Sequence, residues 1–279
     1  MKNGEIQEEG VRVLRVESPP SAYMDHVQVI LVGEGPFALV DAGYAERGGF
    51  VAGWAAERTR GGLEALLLTH HHPDHFGGAE ALAAATGAAC RAHPREIALM
   101  GERAPSLDID ALGDGDIFRA GGIELEAVLT PGHSPGHLAF WWRERGVLFG
   151  GDIVLMETST WVGPPLGSLS AYLDSLERVR GLAPRVIYPG HGPPVVDPAG
   201  RVEALLTHRA RREAQVLEAL GEGLDTPEGM AGRIYRGMKE ETIRIGATMI
   251  AGHLEKLIEE GRARREGECY FLTGPSGAK

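Results

Sequence analysis

Short apolar runs separated by glycine-rich turns dominate this 279-residue chain before residue 200. The runs alternate with polar residues or are apolar throughout, which is typical of half-buried and fully buried β-strands. They predict strands over 11–16, 27–32, 37–40, 63–68, 123–129, 147–149 and 186–188. Helical spacing of apolar residues predicts helices over 45–59, 78–86 and 168–180. Two layers of β-structure with helices between them, an α+β fold, follow from this order.

After Pro198 the pattern becomes almost entirely helical. A periodic segment covers 202–220, and Thr226 and Pro227 suit the N-cap and first position of a second helix. An apolar stripe between 243 and 257 predicts a third helix, and 262–272 can form a β-hairpin. This order is typical of a winged helix, and it predicts a larger domain at 1–204 followed by a winged-helix-like domain at 205–279.

Potential metal ligands are concentrated directly after the predicted strand 63–68. Alternate residues of an extended segment point the same way, so His70 and His72 can converge on one metal ion. Once the chain turns, Asp74 and His75 can point at a second position nearby. Histidine nitrogens and carboxylate oxygens are ligands that zinc accepts.

Three later strand ends deliver the same ligand types. His133, Asp152 and His191 each follow a predicted strand and lie beside glycines that allow a sharp turn. With the four ligands after strand 63–68 they make seven, enough for two ions. Asp152 is suited to bridge them.

The motifs H-x-H-x-D-H, P-G-H, G-D and P-G-H-G occur in this order, and together they resemble the metallo-β-lactamase-fold hydrolase superfamily from about residue 11 to 194. The resemblance implies a four-layer αββα sandwich with a dinuclear site at one edge of the two sheets. It assigns His70, His72 and His133 to the first metal, Asp74, His75 and His191 to the second, and Asp152 to the position between them. It also implies that Asp41 supports the ligands from behind.

The helical tail resembles the C-terminal winged helix of the lactamase-beta-like subgroup. That subgroup includes mitochondrial endoribonucleases that cut single-stranded RNA and bacterial relatives of unknown substrate. Segment 24–30 departs from the subgroup's usual sequence in a loop that borders the site in the family. The substrate of the RNA-cutting members therefore does not carry over on sequence alone.

The ligand set favours a dinuclear zinc hydrolase in which a metal-bound hydroxide attacks the substrate. Asp74 is predicted to orient the attacking water. Three function hypotheses remain: a phosphodiesterase or endoribonuclease acting on single-stranded RNA, a hydrolase of acylglutathione-type or acyl-carrier thioesters, and a winged-helix nucleic-acid-binding protein with an inactive front domain. Iron and manganese stay open beside zinc.

The charge and composition of the chain limit the kinds of partner that we expect. The net charge is −11, and most of the acidic excess lies before residue 202, so long-range attraction to a polyanion is absent and duplex DNA is not expected as a partner. An N-terminal signal segment and a membrane-spanning apolar run are not predicted, so we expect no membrane partner. Cys90 and Cys269 do not suggest a disulfide framework, and the expected location is the cytoplasm. The oligomeric state stays open.

The remaining basic side chains are predicted to be mostly structural. His71 alternates away from the metal face, His137 is either a support for the ligands or part of strand packing, and His253 is expected to be a packing histidine with satisfied nitrogens. His208 lies near the predicted domain junction, where a substrate contact is the alternative to a structural role. The basic runs 209–212 and 262–265 are predicted to be solvated.

Overall fold

The computed structural model describes residues 5–8, 10–20, 22–101 and 103–273. The strands are β1 (Glu5–Glu8), β2 (Val11–Glu17), β3 (His26–Val32), β4 (Phe37–Val40), β5 (Leu63–Leu67), β6 (Ala89–Ala92), β7 (Ile109–Ala111), β8 (Ile117–Ala120), β9 (Ile123–Leu129), β10 (Leu138–Trp142), β11 (Val147–Gly151), β12 (Val186–Pro189), β13 (Ala263–Glu266) and β14 (Cys269–Leu272). The helices are α1 (Gly48–Thr59), α2 (Pro73–Phe76), α3 (Ala79–Thr86), α4 (Pro94–Met100), α5 (Leu169–Leu182), α6 (Pro198–Gly221), α7 (Pro227–Ile234) and α8 (Glu240–Glu259), with 3₁₀ turns at Ala45–Arg47 and Arg143–Arg145.

Two mixed sheets form the centre of the molecule. The first has the order β1-β2-β3-β4-β5-β6-β7, antiparallel from β1 to β4 and parallel from β4 to β7. The second has the order β12-β11-β10-β9-β8, in which only β11 and β12 run parallel. Because β9 and β11 both run antiparallel to β10, the strands β9, β11 and β12 share one direction.

The two sheets pack face to face, and helices cover their outer faces. Alternation along a strand sends neighbouring residues to opposite faces. Leu67 therefore packs between the sheets with Phe149, whereas Leu66 packs outward against α1 and α3. In the second sheet Leu148 packs outward against α5. The result is the four-layer αββα sandwich that the resemblance implies.

The C-terminal helices have a core of their own. Apolar side chains from the second half of α6, from α7 and α8, and from the β13–β14 hairpin form a separate cluster around Ile250, Leu254 and Leu257. Thr226 caps α7 by accepting a hydrogen bond from Gly229 N, with Pro227 at the first helical position, as predicted. Helix α6 runs without interruption through the predicted domain boundary at 204/205. The boundary and the winged-helix assignment stay predictions.

The predicted strands and helices before residue 198 are confirmed, apart from shifts of a few residues at their ends. The helix predicted over 45–59 is a 3₁₀ turn followed by α1. Among the described residues, no helix is both long enough and apolar enough to cross a membrane.

We expect the inter-sheet core to dominate the stability of the sandwich. Phe140 on β10 is fully buried between the sheets. Phe140→Ala should lower the free energy of unfolding by about 3–5 kcal/mol, because it removes apolar contacts and leaves a cavity. Met238→Ala, at a position 57% exposed, is the control and should change it by less than about 0.5 kcal/mol. Equal midpoints for the two variants in urea denaturation would contradict this packing.

Candidate metal centre

Five strands of the sandwich end at one place. Strands β4 and β5 of the first sheet and β9, β11 and β12 of the second are each followed by a residue of the predicted site. After β5 the chain reaches His72, which has extended backbone angles and is the N-cap of α2, and Pro73 then starts this short helix. The turn separates two pairs of ligands, His70 and His72 before it and Asp74 and His75 within it.

Three histidines form the first group. The distance from His70 Nε2 to His72 Nδ1 is 2.9 Å, from His133 Nε2 to His72 Nδ1 2.9 Å, and from His133 Nε2 to His70 Nε2 3.2 Å. Nitrogens bound tetrahedrally to one zinc ion at about 2.0–2.1 Å lie about 3.3 Å apart. The spacing of these three nitrogens is therefore close to that of ligands around one metal ion.

The second group consists of Asp74, His75 and His191. His75 Nε2 lies 3.4 Å from His191 Nε2, and Asp74 Oδ2 lies 3.3 Å from His191 Nε2 and 3.8 Å from His75 Nε2. The ligand atoms of each group lie within 4.8 Å of one another. This is a second set of donors that could hold an ion.

Asp152 lies between the groups. Its Oδ2 is 3.6 Å from both His133 Nε2 and His191 Nε2, and its Oδ1 is 3.5 Å from His75 Nε2. Oδ1 is buried without a hydrogen-bond partner among the described residues. A buried carboxylate oxygen without a donor is costly, so this atom fits a cation. The structure thus brings all seven predicted ligands together, and their individual metal-binding roles stay predictions.

The far nitrogens of three rings fix which nitrogen faces the centre. Nδ1 of His75 donates to Asp41 Oδ2 at 2.7 Å, Nδ1 of His133 to the Trp161 carbonyl at 2.7 Å, and Nδ1 of His191 to the His26 carbonyl at 2.6 Å. Because these oxygens only accept, each Nδ1 carries a proton, and each Nε2 faces the other ligands, where it can bind a metal ion or, in the absence of one, a second proton. A cluster of lone pairs at such short distances needs a cation between them.

The charges of the site lead to the same conclusion. Burial, helped by the neighbouring His133, lowers the pKa of His72 to about 3, so its ring is neutral as a metal ligand must be. Burial opposes ionisation of Asp74, but His75 and His191 outweigh it and lower its pKa. Burial also lowers the pKa of His75, yet Asp152, Asp41 and Asp74 together raise it to about 10. Such an excess of carboxylates is what a bound cation would neutralise.

Asp41 supports the ligands, as the resemblance implies. It follows β4 in the left-handed region with φ 61°. One oxygen accepts from Thr69 N at 2.8 Å, and the other accepts from His75 Nδ1 at 2.7 Å. It therefore joins the start of the ligand loop to the short helix within it.

Sequence reasoning missed Glu96. This carboxylate lies in the first turn of α4 and is fully buried. It accepts hydrogen bonds from the backbone N–H of His71 at 2.8 Å and from that of Gly136 at 2.6 Å. It also lies 2.6 Å from His71 Nδ1. Burial raises its pKa, but these hydrogen bonds lower it to about 2. His71 points away from the metal face, as predicted, and Glu96 connects the first ligand loop to the second.

His137 also supports the site, because its Nε2 accepts a hydrogen bond from Asp152 N at 3.1 Å.

A pocket of about 230 Å³ opens beside the metal centre. His133, Asp152 and His191 form its base, and its walls include Met24, Leu155, Trp161, His208, Arg212, Tyr235, Ile245 and Met249. Trp161 Nε1 donates to Thr248 Oγ1 on α8 at 2.9 Å, and this bond joins the C-terminal helices to the sandwich. The C-terminal segment therefore forms one wall of the candidate active site.

The prediction that the basic run 209–212 is solvated is wrong for two of its arginines. Arg209 is 2% exposed and Arg212 is half-buried, because both share a face of α6 with apolar core residues. The prediction that His253 has satisfied nitrogens is also wrong. Both ring nitrogens are buried without a hydrogen-bond partner among the described residues.

Comparison with known proteins identifies the class of this site. The sequence model of the Metallo-beta-lactamase superfamily matches residues 23–191. A crystal structure of a metallo-beta-lactamase family protein from Thermus thermophilus superposes with a TM-score of 0.81 at 28% identity, covering 95% of this chain and 99% of that one. The chain belongs to the metallo-β-lactamase superfamily, and it is a metal-dependent hydrolase of that fold.

Two curated relatives illustrate the range of names within the family. A "Beta-lactamase-like protein 2 homolog" from Drosophila melanogaster is 28% identical over 277 residues, which cover 94% of this chain and 93% of that protein. An "Atrochrysone carboxyl ACP thioesterase" from Aspergillus fumigatus is 33% identical over 219 residues, which cover 75% of this chain and 65% of that protein.

We expect the two groups of ligands to load separately. Zinc-saturated protein should hold two ions per chain by elemental analysis after gel filtration. His191→Ala removes a ligand of the second group and leaves the three histidines of the first intact, so it should hold one. His93→Asn, which lies outside both groups and keeps an N-cap side chain on α4, should still hold two. Two ions retained by His191→Ala would contradict the grouping.

Asp41→Asn should weaken metal binding without removing a ligand. The amide keeps the shape of the carboxylate but loses the charge that orients His75, so we expect an affinity lower by about 10–100-fold. Competition against a chelator of known affinity measures the change. Asp174→Asn, at an exposed position on α5, is the matched control and should bind like the unaltered protein. An unchanged affinity for Asp41→Asn would show that the bond to His75 does not matter.

Proposed function

We propose that this protein is a dinuclear zinc hydrolase of thioesters. The observation that carries this proposal is the shape and lining of the pocket beside the metal centre. It measures about 230 Å³ and is walled largely by apolar side chains, including Met24, Leu155 and Met249. Such a pocket suits an acyl group held next to the scissile carbonyl.

The residues of the metal centre would have different roles in the reaction. His70, His72 and His133 would hold one zinc ion, and Asp74, His75 and His191 the other, with Asp152 between them. When bound, the ions lower the pKa of water and polarise a carbonyl oxygen. The Asp74 side chain is 19% exposed, against 10% for Asp152, so solvent reaches it more easily. We assign to the Asp74 carboxylate the task of accepting a hydrogen bond from the attacking water and orienting it.

The apolar walls support this task by excluding bulk water from the acyl group. Trp161 has two connected roles here. Its carbonyl orients His133, and its ring nitrogen is bonded to α8, so the pocket wall and a metal ligand share one residue. Water is the nucleophile in this scheme, and no enzyme side chain forms a covalent intermediate.

A thioester substrate is also consistent with the comparisons and with charge. Besides the Aspergillus fumigatus thioesterase, an "Atrochrysone carboxyl ACP thioesterase" from a Cryptosporiopsis species is 29% identical and covers 92% of this chain. An endoribonuclease would need a path of positive charge that follows several phosphates. A chain with a net charge of −11 favours the thioesterase over the endoribonuclease.

A direct comparison of substrates tests the proposal. Zinc-loaded protein is assayed against acyl-N-acetylcysteamine thioesters, S-acylglutathione and a labelled single-stranded oligoribonucleotide. We expect release of free thiol from at least one thioester and no cleavage of the RNA. RNA cleavage without thioester hydrolysis would replace the proposal with the endoribonuclease.

His72→Ala should abolish metal-dependent thioester hydrolysis, because it opens the first group of ligands. The rate should fall to that of the chelator-treated protein, measured by thiol release. His93→Asn serves again as the control and should keep full activity. Unchanged turnover by pure, folded His72→Ala would place the reaction at another site.

A further inference from the structure

Helices α6 and α8 bring four basic or imidazole side chains together behind the pocket. His208, Arg209 and Arg212 come from α6, and His253 comes from α8. Arg209 and His253 are 2% and 1% exposed, and His208 and Arg212 are half-buried. Within the described residues no ion pair joins any of the four to a carboxylate. The acidic residue nearest in sequence, Glu213, is taken by Lys256 and Arg262.

The hydrogen-bond donors of this cluster are also incompletely satisfied. Arg209 donates from Nη2 to the Thr160 carbonyl, but its Nε is buried without a partner among the described residues. The same holds for Nη1 of Arg212. The guanidinium groups pack instead on aromatic rings, Arg212 at 4.3 Å from the ring centre of Tyr235 and Arg209 at 5.1 Å from that of Tyr172.

Among the described residues, this arrangement leaves a net positive charge without a paired carboxylate. Burial, together with Arg209 and Arg212, lowers the pKa of His253 to about 3, so that ring is neutral. Burial and four surrounding arginines also lower the pKa of His208: Arg209, Arg212, Arg211 and Arg201. Removing a guanidinium from water without an acidic partner costs free energy, and proteins normally avoid it.

Arg212 and His208 lie where a ligand of the metal centre can contact them. Both line the pocket of about 230 Å³ whose base is formed by His133, Asp152 and His191. Tyr235 stacks on Arg212 and lines the same pocket, so the ring holds the guanidinium in position. A ligand that reaches the metal centre therefore lies within the same small space as an unpaired arginine.

We propose that Arg212, with His208 beside it, binds an anionic group that the substrate carries close to its thioester. The inference rests on the proposed function and specifies its substrate class: a thioester with a carboxylate or phosphate near the reacting carbonyl. Arginine suits either group, because its planar N–H donors match both geometries. The group can lie on the acyl side or on the thiol side, in either case within a few bonds of the sulfur.

Two matched pairs of substrates separate these sources. Succinyl- and butyryl-N-acetylcysteamine differ in a carboxylate on the acyl side. S-butyryl-N-acetylcysteine and S-butyryl-N-acetylcysteamine differ in a carboxylate on the thiol side. For one of the pairs we expect kcat/KM to be about tenfold to hundredfold higher for the charged member, the range of one charge-assisted hydrogen bond.

Arg212→Gln should bring this preference close to one, because it should lower kcat/KM for the charged member much more than for the neutral member. Arg211→Gln is the matched control, because it removes the same charge from the exposed neighbouring position and should keep the preference. Arg212→Met retains packing on Tyr235 and gives the same test if the glutamine variant does not fold. Absence of preference in both pairs, or an equal loss for charged and neutral members, would overturn the inference.

Product binding provides a readout that does not depend on turnover. Calorimetric titration of zinc-loaded protein compares succinate with butyrate, and N-acetylcysteine with N-acetylcysteamine. We expect about tenfold tighter binding of the charged member of one pair, lost in Arg212→Gln and kept in Arg211→Gln. If this difference is found but no thioester is hydrolysed, the anion site stands and the proposed function fails. If thioesters are hydrolysed without any charge preference in rate or binding, the anion site fails and the proposed function stands.

Discussion

The crowding of nitrogen lone pairs and carboxylates in one buried place is the constraint on which this structure depends. Imidazole nitrogens of the first group lie 2.9–3.2 Å apart, and a buried oxygen of Asp152 has no donor among the described residues. Such a cluster is repulsive by itself and becomes favourable around cations. The strands that end there hold the ligands in place against this repulsion, so much of the sandwich serves as a frame for the site.

That frame needs close approach of backbone and side chains. A β-carbon added to Gly190 would lie 2.5 Å from His75 Cε1 and 2.6 Å from Asp152 Oδ1. Glycine is therefore required in the P-G-H-G motif, because the backbone after β12 passes directly behind two ligands. The motif therefore provides the ligand His191 and also the glycine that allows this close approach of the backbone.

The ligand set could be predicted from sequence because each ligand directly follows a strand whose apolar pattern is local. Apart from Asp41, most supporting contacts could not be predicted. Glu96, Trp161 and the His26 carbonyl come from segments distant in sequence and are polar groups without a distinctive pattern. Arg209 and Arg212 were predictable in principle. They continue the helical spacing of Leu205 and Val216, which places them on the buried face of α6, whereas the composition of the run 209–212 pointed to solvent. Composition was the weaker guide, because the position of a residue on a helix decides what it contacts.

Helix α6 connects the sandwich that carries the metal ligands to the C-terminal helices that line the pocket. Its 24 residues span about 36 Å and run from the core of the sandwich into the core of the C-terminal helices. A single rod without a break thus joins the two cores, and its residues His208 and Arg212 line the pocket beside the metal ligands. Relatives that share the ligand motifs can thus acquire different substrates by exchanging side chains along this rod and on α8, while the reacting centre remains unchanged.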